Sequence, residues 1–342
     1  MISTREIQLS SRPVGEPTPD NFRLVETTLP DPAPGEVAVR NLAMSVDPYM
    51  RGRMNDAPSY APPWQLGEAA QGGAVGEVIA VGPGVASVEV GNLVVHGRGW
   101  RDHAVLPVSE VQVVPRRDEL SPTLYLGALG MTGRTAYVGL FDIAGFQPGD
   151  AVFVSGAAGA VGAVVGQMAR LAGASRVIGS AGSQAKIDHL LADVADGGLG
   201  FDAAFNYHDG SAADLLDEAA PDGIDVYFDN VGGEQLEAAI GAMNLGGRIA
   251  VCGQISGYNA TEPQPGPRNL GLFIARRLTM RGFLVNDHPD LADKATARIA
   301  GWVSTGQLQA DETIVNGLDN AVDAFIGMLN GRNTGKMIIS LT

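Results

Sequence analysis

Cysteine is nearly absent from this chain. Its 342 residues include one, Cys252, which excludes an internal disulfide and any Cys-rich zinc site. Positive charge is also scarce: 23 Lys and Arg stand against 38 Asp and Glu, a net charge of −15. A nucleic-acid partner needs clustered cations, so that class is set aside. Long apolar runs are missing too. No segment approaches the roughly 20 uninterrupted apolar residues of a membrane-spanning helix. The opening residues MISTREIQLSSRP hold no apolar stretch of signal-peptide length, so a reduced, cytoplasmic protein is expected. Repeats, low-complexity segments and long charge runs are likewise absent.

What is present is an ordinary globular composition, 45% apolar and 18% charged, with 46 Gly and 20 Pro for many turns. The length suggests two domains. Up to about residue 125, short apolar stretches such as Glu36-Val-Ala-Val-Arg40, Ala74-Val-Gly-Glu-Val-Ile-Ala-Val81 and Asn92-Leu-Val-Val95 alternate with Gly/Pro turns. That texture predicts a β-barrel-like domain. From about 126, apolar strands (151–155, 176–179, 201–205, 225–229, 248–252) alternate with helix-length segments (163–171, 184–191, 212–219, 235–243). Such alternation predicts right-handed βαβ units around a buried parallel sheet, an α/β architecture. The tail, Gly331-Arg-Asn-Thr-Gly-Lys-Met-Ile-Ile-Ser340, reads as a strand returning to the first domain. The expected division is 1–125, completed by 311–342, and 126–310.

The stretch Val154-Ser-Gly-Ala-Ala-Gly-Ala-Val-Gly162 falls at the first strand-to-helix turn of that series. It contains Ala157-x-Gly159-x-x-Gly162, a dinucleotide-binding fingerprint with Ala at its first glycine position. Gly159 would let the backbone close on a pyrophosphate, and Gly162 would let the helix pack near the strand; the helix N-terminus would supply amides and a positive dipole end. A ligand-free βα turn is the plainer alternative. NAD enzymes carry Asp or Glu at the end of the second strand to hold the adenosine ribose. Here Arg176-Val-Ile178 runs into Gly179-Ser-Ala-Gly-Ser-Gln-Ala-Lys186, without an acid. Ser180, Ser183 and Lys186 suit a 2′-phosphate that a carboxylate would repel, so NADPH is the expected cofactor. Lys186 also reads as an ordinary helix lysine.

Several blocks together resemble the zinc-independent medium-chain dehydrogenase/reductases, in the leukotriene hydroxydehydrogenase and prostaglandin reductase branch with its bacterial NADPH-dependent relatives. They are Met44-Ser-Val-Asp-Pro-Tyr-Met-Arg51, Leu129-Gly-Met-Thr-Gly-Arg-Thr-Ala-Tyr137, residues 155–162, Gly182-Ser-Gln-Ala-Lys186, Phe205-Asn-Tyr207, Phe228-Asp-Asn-Val-Gly-Gly233, Cys252-Gly-Gln-Ile-Ser-Gly-Tyr258 and Gly331-Arg-Asn-Thr-Gly-Lys336. The resemblance covers essentially the whole chain. It implies a GroES-like β-barrel-type domain and a Rossmann doubly wound domain. It places Gly156, Ala158, Gly159, Ala160, Val161 and Gly162 under the pyrophosphate, with Lys186 and Tyr207 near the adenosine. Asn230 would lie at the cofactor's inner edge. Cys252, Gly253, Ile255, Ser256 and Tyr258 would frame the nicotinamide half with Phe283, Leu284 and Val285, and Asn333 would close over it from the tail. Tyr207 and Cys252 read equally as core packing, and Asn230 and Asn333 as turn formers.

Zinc alcohol dehydrogenases share this architecture, but their Gly-His-Glu block appears here as Gly67-Glu68, without the histidine. His96 and His103 lack soft partners, so no metal is expected. Alcohol oxidation would then lack its means of holding an alkoxide. Reduction of an activated C=C bond needs less, because hydrogen bonds can hold the enolate oxygen. The predicted activity is therefore NADPH-dependent reduction of α,β-unsaturated aldehydes or ketones. Tyr258 is the candidate catalytic residue, as hydrogen-bond donor or only as a pocket wall in the cleft between domains. Tyr49, Met131 and Tyr258 are the candidate substrate contacts. A quinone reductase of the same fold and a non-catalytic cofactor-binding protein are the alternatives. An apolar stretch late in the second domain, 271–275 and 278–285, is expected to form an edge strand that pairs across a two-fold axis in a homodimer.

Overall fold

The computed structural model describes residues 1–116 and 120–342. Its chain separates into two compact units, Met1–Leu126 with Glu312–Thr342, and Gly127–Asp311. In the first, β1 (Ile2–Leu9) and β2 (Phe22–Leu29) form an antiparallel ribbon. β3 (Glu36–Ser45) leads into a single helical turn, α1 (Tyr49–Arg53). β4 (Ala74–Val81), β5 (Leu93–His96), β6 (His103–Pro107) and β7 (Gln112–Val113) complete this part of the unit. β3, β4, β5 and β7 are successive antiparallel neighbours, and β6 pairs with the first half of β3. Val37, Ala38 and Val39 are all fully buried, as expected of a strand with neighbours and packing on both faces.

The second unit begins with α2 (Met131–Tyr137) and continues as strict strand–helix alternation. In order come β8 (Ala151–Val154), α3 (Gly162–Leu171), β9 (Arg176–Ala181), α4 (Gln184–Leu191), β10 (Ala203–Asn206) and α5 (Ala212–Ala219). Then follow β11 (Ile224–Asp229), α6 (Gly233–Ala242), β12 (Met243–Val251), α7 (Leu272–Arg276), β13 (Thr279–Gly282) and α8 (Ala292–Ser304). All six strands are parallel, in the order β10-β9-β8-β11-β12-β13. This is the doubly wound order whose direction reverses between β8 and β11. The rings of Phe153 on β8 and Tyr227 on β11 stack at 4.9 Å, and Phe205 on β10 stacks on Phe153 at 5.7 Å. Burying side chains of this size contributes about 1.5–3 kcal/mol each.

The tail returns to the first unit through β14 (Glu312–Asn316), α9 (Ala321–Leu329) and β15 (Lys336–Ser340). β15 lies antiparallel to β3, with Ile338 opposite Ser45, and parallel to β14.

Several elements depart from the sequence expectation, β9 for one running on to Ala181. β10 begins at Ala203 rather than Phe201, because the Phe201 ring turns inward onto the glycine faces of Gly166 and Gly179 while its amide bonds Leu190 O. α6 ends at Ala242, and Met243 already belongs to β12. The expected edge strand is shorter: residues 272–276 are helical, and only Thr279–Gly282 pair with β12.

Candidate nucleotide and substrate site

Between β8 and β11, at the reversal of strand order, two loops leave the carboxyl edge of the sheet side by side. Open α/β sheets bind ligands at such a point. Ser155 joins the two loops. Its amide donates to Phe228 O, its hydroxyl oxygen accepts the Asn230 amide at 3.0 Å, and its carbonyl accepts the Asn230 Nδ2 at 2.8 Å. Asn230 is thus tied to the first βα turn rather than merely ending a strand.

The turn itself is built by small residues. Gly156 takes φ +60°, and Gly159 donates back to Gly156 O. A Cβ on Gly162 would lie 2.4 Å from Gly156 O and 2.9 Å from Ala157 Cα. The turn therefore curls against the start of α3, and the third fingerprint glycine is required by the loop's own backbone rather than by helix–strand packing. Ala158 is buried, whereas Ala160 and Val161 are partly exposed. Among the described residues, the amides of Ala160, Val161 and Gly162 find no backbone acceptor. No side chain caps this ten-residue helix. Unpaired amides at a positive dipole end are suited to an anion such as a diphosphate.

The three residues expected to meet an extra phosphate, Ser180, Ser183 and Lys186, differ in their surroundings. Ser183 begins α4, with its side chain making no cap hydrogen bond, and Lys186 lies one turn further. Tyr207 is nearby: a Cβ on Gly182 would lie 2.5 Å from its hydroxyl. Burial lowers the Lys186 pKa below that of an ordinary lysine. Ser180 is different. It is fully buried, and its hydroxyl donates to Gln235 Oε1 at 2.5 Å. As arranged, it supports α6 instead of offering a hydroxyl to a ligand.

After β12, Cys252 and Gly253 both donate their amides to Asp229 O, and Ile255 and Ser256 donate theirs to Asn230 O and Val231 O. The Ser256 hydroxyl adds a second bond to Val231 O at 2.6 Å. Residues 252–258 are therefore laced to the loop after β11. Tyr258 folds back over this turn, and a Cβ on Gly253 would lie 3.5 Å from its hydroxyl. Burial raises the Tyr258 pKa despite a hydrogen bond from the Gln254 backbone. Cys252 is partly exposed as a residue, but burial around its thiol and the Asp229 carboxylate push its pKa up to about 12. A thiol so protonated is not a nucleophile. Phe283 packs edge-on to Phe228 at 6.4 Å, while Leu284 and Val285 leave the sheet, Leu284 well exposed.

Met131, the first residue of α2, belongs to the unit of this sheet and is partly exposed. Tyr49 and Asn333 belong to the other. Tyr49 opens α1, and burial followed by the nearby Asp47 carboxylate raises its pKa. The Asn333 side-chain amide donates to Gly335 O two residues on, a local turn contact.

Two features escaped sequence reading. Asp229 is buried at 1% exposure, and its Oδ1 accepts from the Tyr227 hydroxyl at 2.8 Å, the Val231 amide at 3.0 Å and the Gly232 amide at 2.7 Å. Lys336 and Asp47 form a buried ion pair at 2.9 Å. The first left only a faint trace, an acid closing the short apolar run Val226–Phe228, and nothing in the sequence tied it to Ser155; the second had no signal at sequence level.

The geometry defines a two-unit α/β protein with a nucleotide-type loop at its switch point. Comparison with known proteins carries this further. Residues 5–114 match a family described as the N-terminal domain of oxidoreductase, and residues 160–301 one described as zinc-binding dehydrogenase. A putative NADP-dependent oxidoreductase, YfmJ, of Bacillus subtilis is 43% identical, covering 99% of this chain and 98% of its own. NADPH-dependent curcumin reductase of Escherichia coli is 39% identical over 97% and 95%, and mouse prostaglandin reductase 1 is 40% identical over 99% of both. The crystal structure of CurA with NADPH from Vibrio vulnificus superposes with a TM-score of 0.91 at 40% identity, covering 99% of each chain. The chain belongs to the zinc-independent reductase branch of the medium-chain dehydrogenase/reductase family.

The zinc in the second family description finds no fitting donor set in the described part of the chain. Among the described residues, no group of three or more His, Cys, Asp or Glu is arranged to hold a metal ion. His96 is buried, its Nδ1 accepts the Arg98 amide, and burial with two nearby arginines pushes its pKa down to about 3.

Proposed function

We propose that this protein reduces the C=C bond of α,β-unsaturated aldehydes and ketones with NADPH. The observation that carries this reading is full-length similarity, at 36–40% identity, to relatives named curcumin reductase, prostaglandin reductase 1 and 2-alkenal reductase. NADPH supplies the hydride when bound. The free amides of Ala160, Val161 and Gly162 suit its diphosphate, and Ser183, Lys186 and Tyr207 suit the 2′-phosphate end. Hydride addition at the β-carbon drives the π electrons onto the carbonyl oxygen, and the α-carbon then takes a proton. Tyr258, a neutral phenol at neutral pH whose pKa burial raises further, is assigned the hydrogen bond to that oxygen. Tyr49 and Met131 are assigned to the substrate wall.

Two further assignments belong to this reading. The exposed outer edge of β13, which includes the exposed Met280, is assigned to pairing with a second copy in a homodimer. A cytoplasmic location suits a chain whose single thiol requires no oxidising compartment. The quinone oxidoreductase structures, at 21–23% identity, share the fold alone and carry no substrate argument.

Mixing the purified protein with NADPH and a short enone tests the activity. Loss of reduced-nicotinamide absorbance with appearance of the saturated ketone is expected. Turnover of a quinone without turnover of any enone would replace the reading with the quinone reductase alternative. Inertness to both would favour a non-catalytic role.

A further inference from the structure

Asp229, the last residue of β11, brings a buried carboxylate to the switch point, and the proposed reduction gives it no chemical task. It does not face outward. A single oxygen, Oδ1, gathers the Tyr227 hydroxyl, the Val231 amide and the Gly232 amide, with the Ser155 hydroxyl at 3.3 Å. The two amides open the loop that precedes α6. That loop cannot shift alone, because Val231 O receives both the amide and the hydroxyl of Ser256, and Asn230 O receives the Ile255 amide. The Tyr258 amide in turn donates to Ile255 O. Glycines let the two loops interleave: a Cβ on Gly232 would lie 2.7 Å from Gln254 Cγ, and one on Gly253 would lie 3.2 Å from Asn230 O. Hydrogen bonds, joined by the short backbone between Asn230 and Gly232, therefore link the Asp229 carboxylate to the turn that carries Tyr258.

We propose that Asp229 is a positioning residue whose carboxylate oxygen sets the register between the loop after β11 and the Ile255–Tyr258 turn, and through them the nicotinamide half of the site. The inference rests on the enone reductase reading for the meaning of that half-site, but not for its test. Its action needs an acceptor oxygen, not a negative charge. Buried donors deprived of their acceptor seek new partners, and a loop held by them moves.

Amide hydrogen exchange, read on the full chain without substrate, separates coupling from local support. In Asp229→Ala, the amides of Val231 and Gly232 lose their acceptor directly. Positioning predicts that Ile255 and Ser256, which never touch Asp229, also exchange about tenfold or more faster. NADPH affinity, followed by fluorescence titration, should weaken by about fivefold or more as the same register loosens. Asp229→Asn keeps an acceptor oxygen in place and should stay within about threefold of the unaltered protein in both readouts. If Asp229→Ala does not fold, the double variant Tyr227→Phe with Asp229→Ala removes the orphaned phenol and tests the same amides. Faster exchange confined to Val231 and Gly232, with NADPH affinity unchanged, would overturn the proposal. Failure of Asp229→Asn to rescue would also overturn it, since the charge would then matter. Neither readout needs an enone, so lack of turnover would refute the enone reductase reading and leave this result standing.

Discussion

Gly162→Ala sets two known effects against each other. Helix propensity favours alanine over glycine by about 1 kcal/mol in a helix interior, and Gly162 is the first residue of α3. The new methyl, however, would sit 2.4 Å from Gly156 O, 2.9 Å from Ala157 Cα and 3.0 Å from Gly156 C. Those are backbone atoms, and they are pinned. Gly156 O holds the Gly159 amide at 3.0 Å, and the Ala157 amide is bonded to Ser180 O on β9 at 2.9 Å. Relief needs a loop displacement of the better part of an ångström, and overpacking of this kind costs about 1–3 kcal/mol or more. The clash should outweigh propensity, leaving a net loss of about 1–2 kcal/mol in urea unfolding. NADPH affinity should fall further, because the displaced loop carries the free amides. Gly159→Ala is the control: its Cβ would meet only Gly156 O, at 3.2 Å, which a small adjustment accommodates. Its stability should change by less than about 1 kcal/mol. A Gly162→Ala protein as stable as the parent, with undiminished NADPH affinity, would refute this account of the turn.

Lys186→Ala should weaken NADPH binding about ten- to a hundredfold, the worth of a charge-assisted hydrogen bond, and leave NADH binding nearly unchanged; equal losses would remove the 2′-phosphate assignment. Because burial lowers the Lys186 pKa, its charge is lost at a lower pH than that of an exposed lysine. NADPH affinity should therefore fall as pH rises toward that pKa while NADH affinity stays flat, which parallel titrations would check. Lys336→Met strands the Asp47 carboxylate in the core and should cost about 3–5 kcal/mol in urea unfolding, with a loss below about 1 kcal/mol contradicting the ion-pair account. Tyr258→Phe should lower single-turnover enone reduction by about a hundredfold at saturating NADPH, with little change in NADPH affinity; a difference below about threefold would make the ring a wall only.

Much of the second unit was legible because parallel strands are buried on both faces. Ala151–Val154 and the Val226–Phe228 centre of β11 read as apolar for that reason, and the small residues after β8 stand out between a strand and a helix. Boundaries were less legible where a side chain changed role. Phe201 resembles a strand residue but fills the space left by Gly166 and Gly179. Ser180 looked like a ligand for a phosphate because composition says nothing of direction; its hydroxyl points into the protein, to Gln235. Asp229 was hidden for a different reason. Ser155 lies 74 residues earlier in the chain and becomes its neighbour only once β8 and β11 are adjacent. Likewise Asp47 and Lys336 are 289 residues apart and meet because β15 returns beside β3.

The protonation states around the switch point constrain how an enolate can be handled. Cys252, with its pKa pushed up to about 12, remains a thiol and offers only a weak hydrogen bond. Asp229 has its Oδ1 engaged by two hydroxyls and two amides, and taking a proton would weaken the acceptor that orders the loop. Tyr258 is the remaining protic side chain on these two loops whose own acidity burial suppresses, so it stays neutral where lysines are charged. A neutral phenol responds to charge growing on a nearby oxygen, and that interaction strengthens toward the transition state. It is also too weak an acid to surrender its proton fully before the charge has formed. Stabilisation of the oxygen and delivery of the proton to carbon are therefore separable steps, and Tyr258 is assigned only the first.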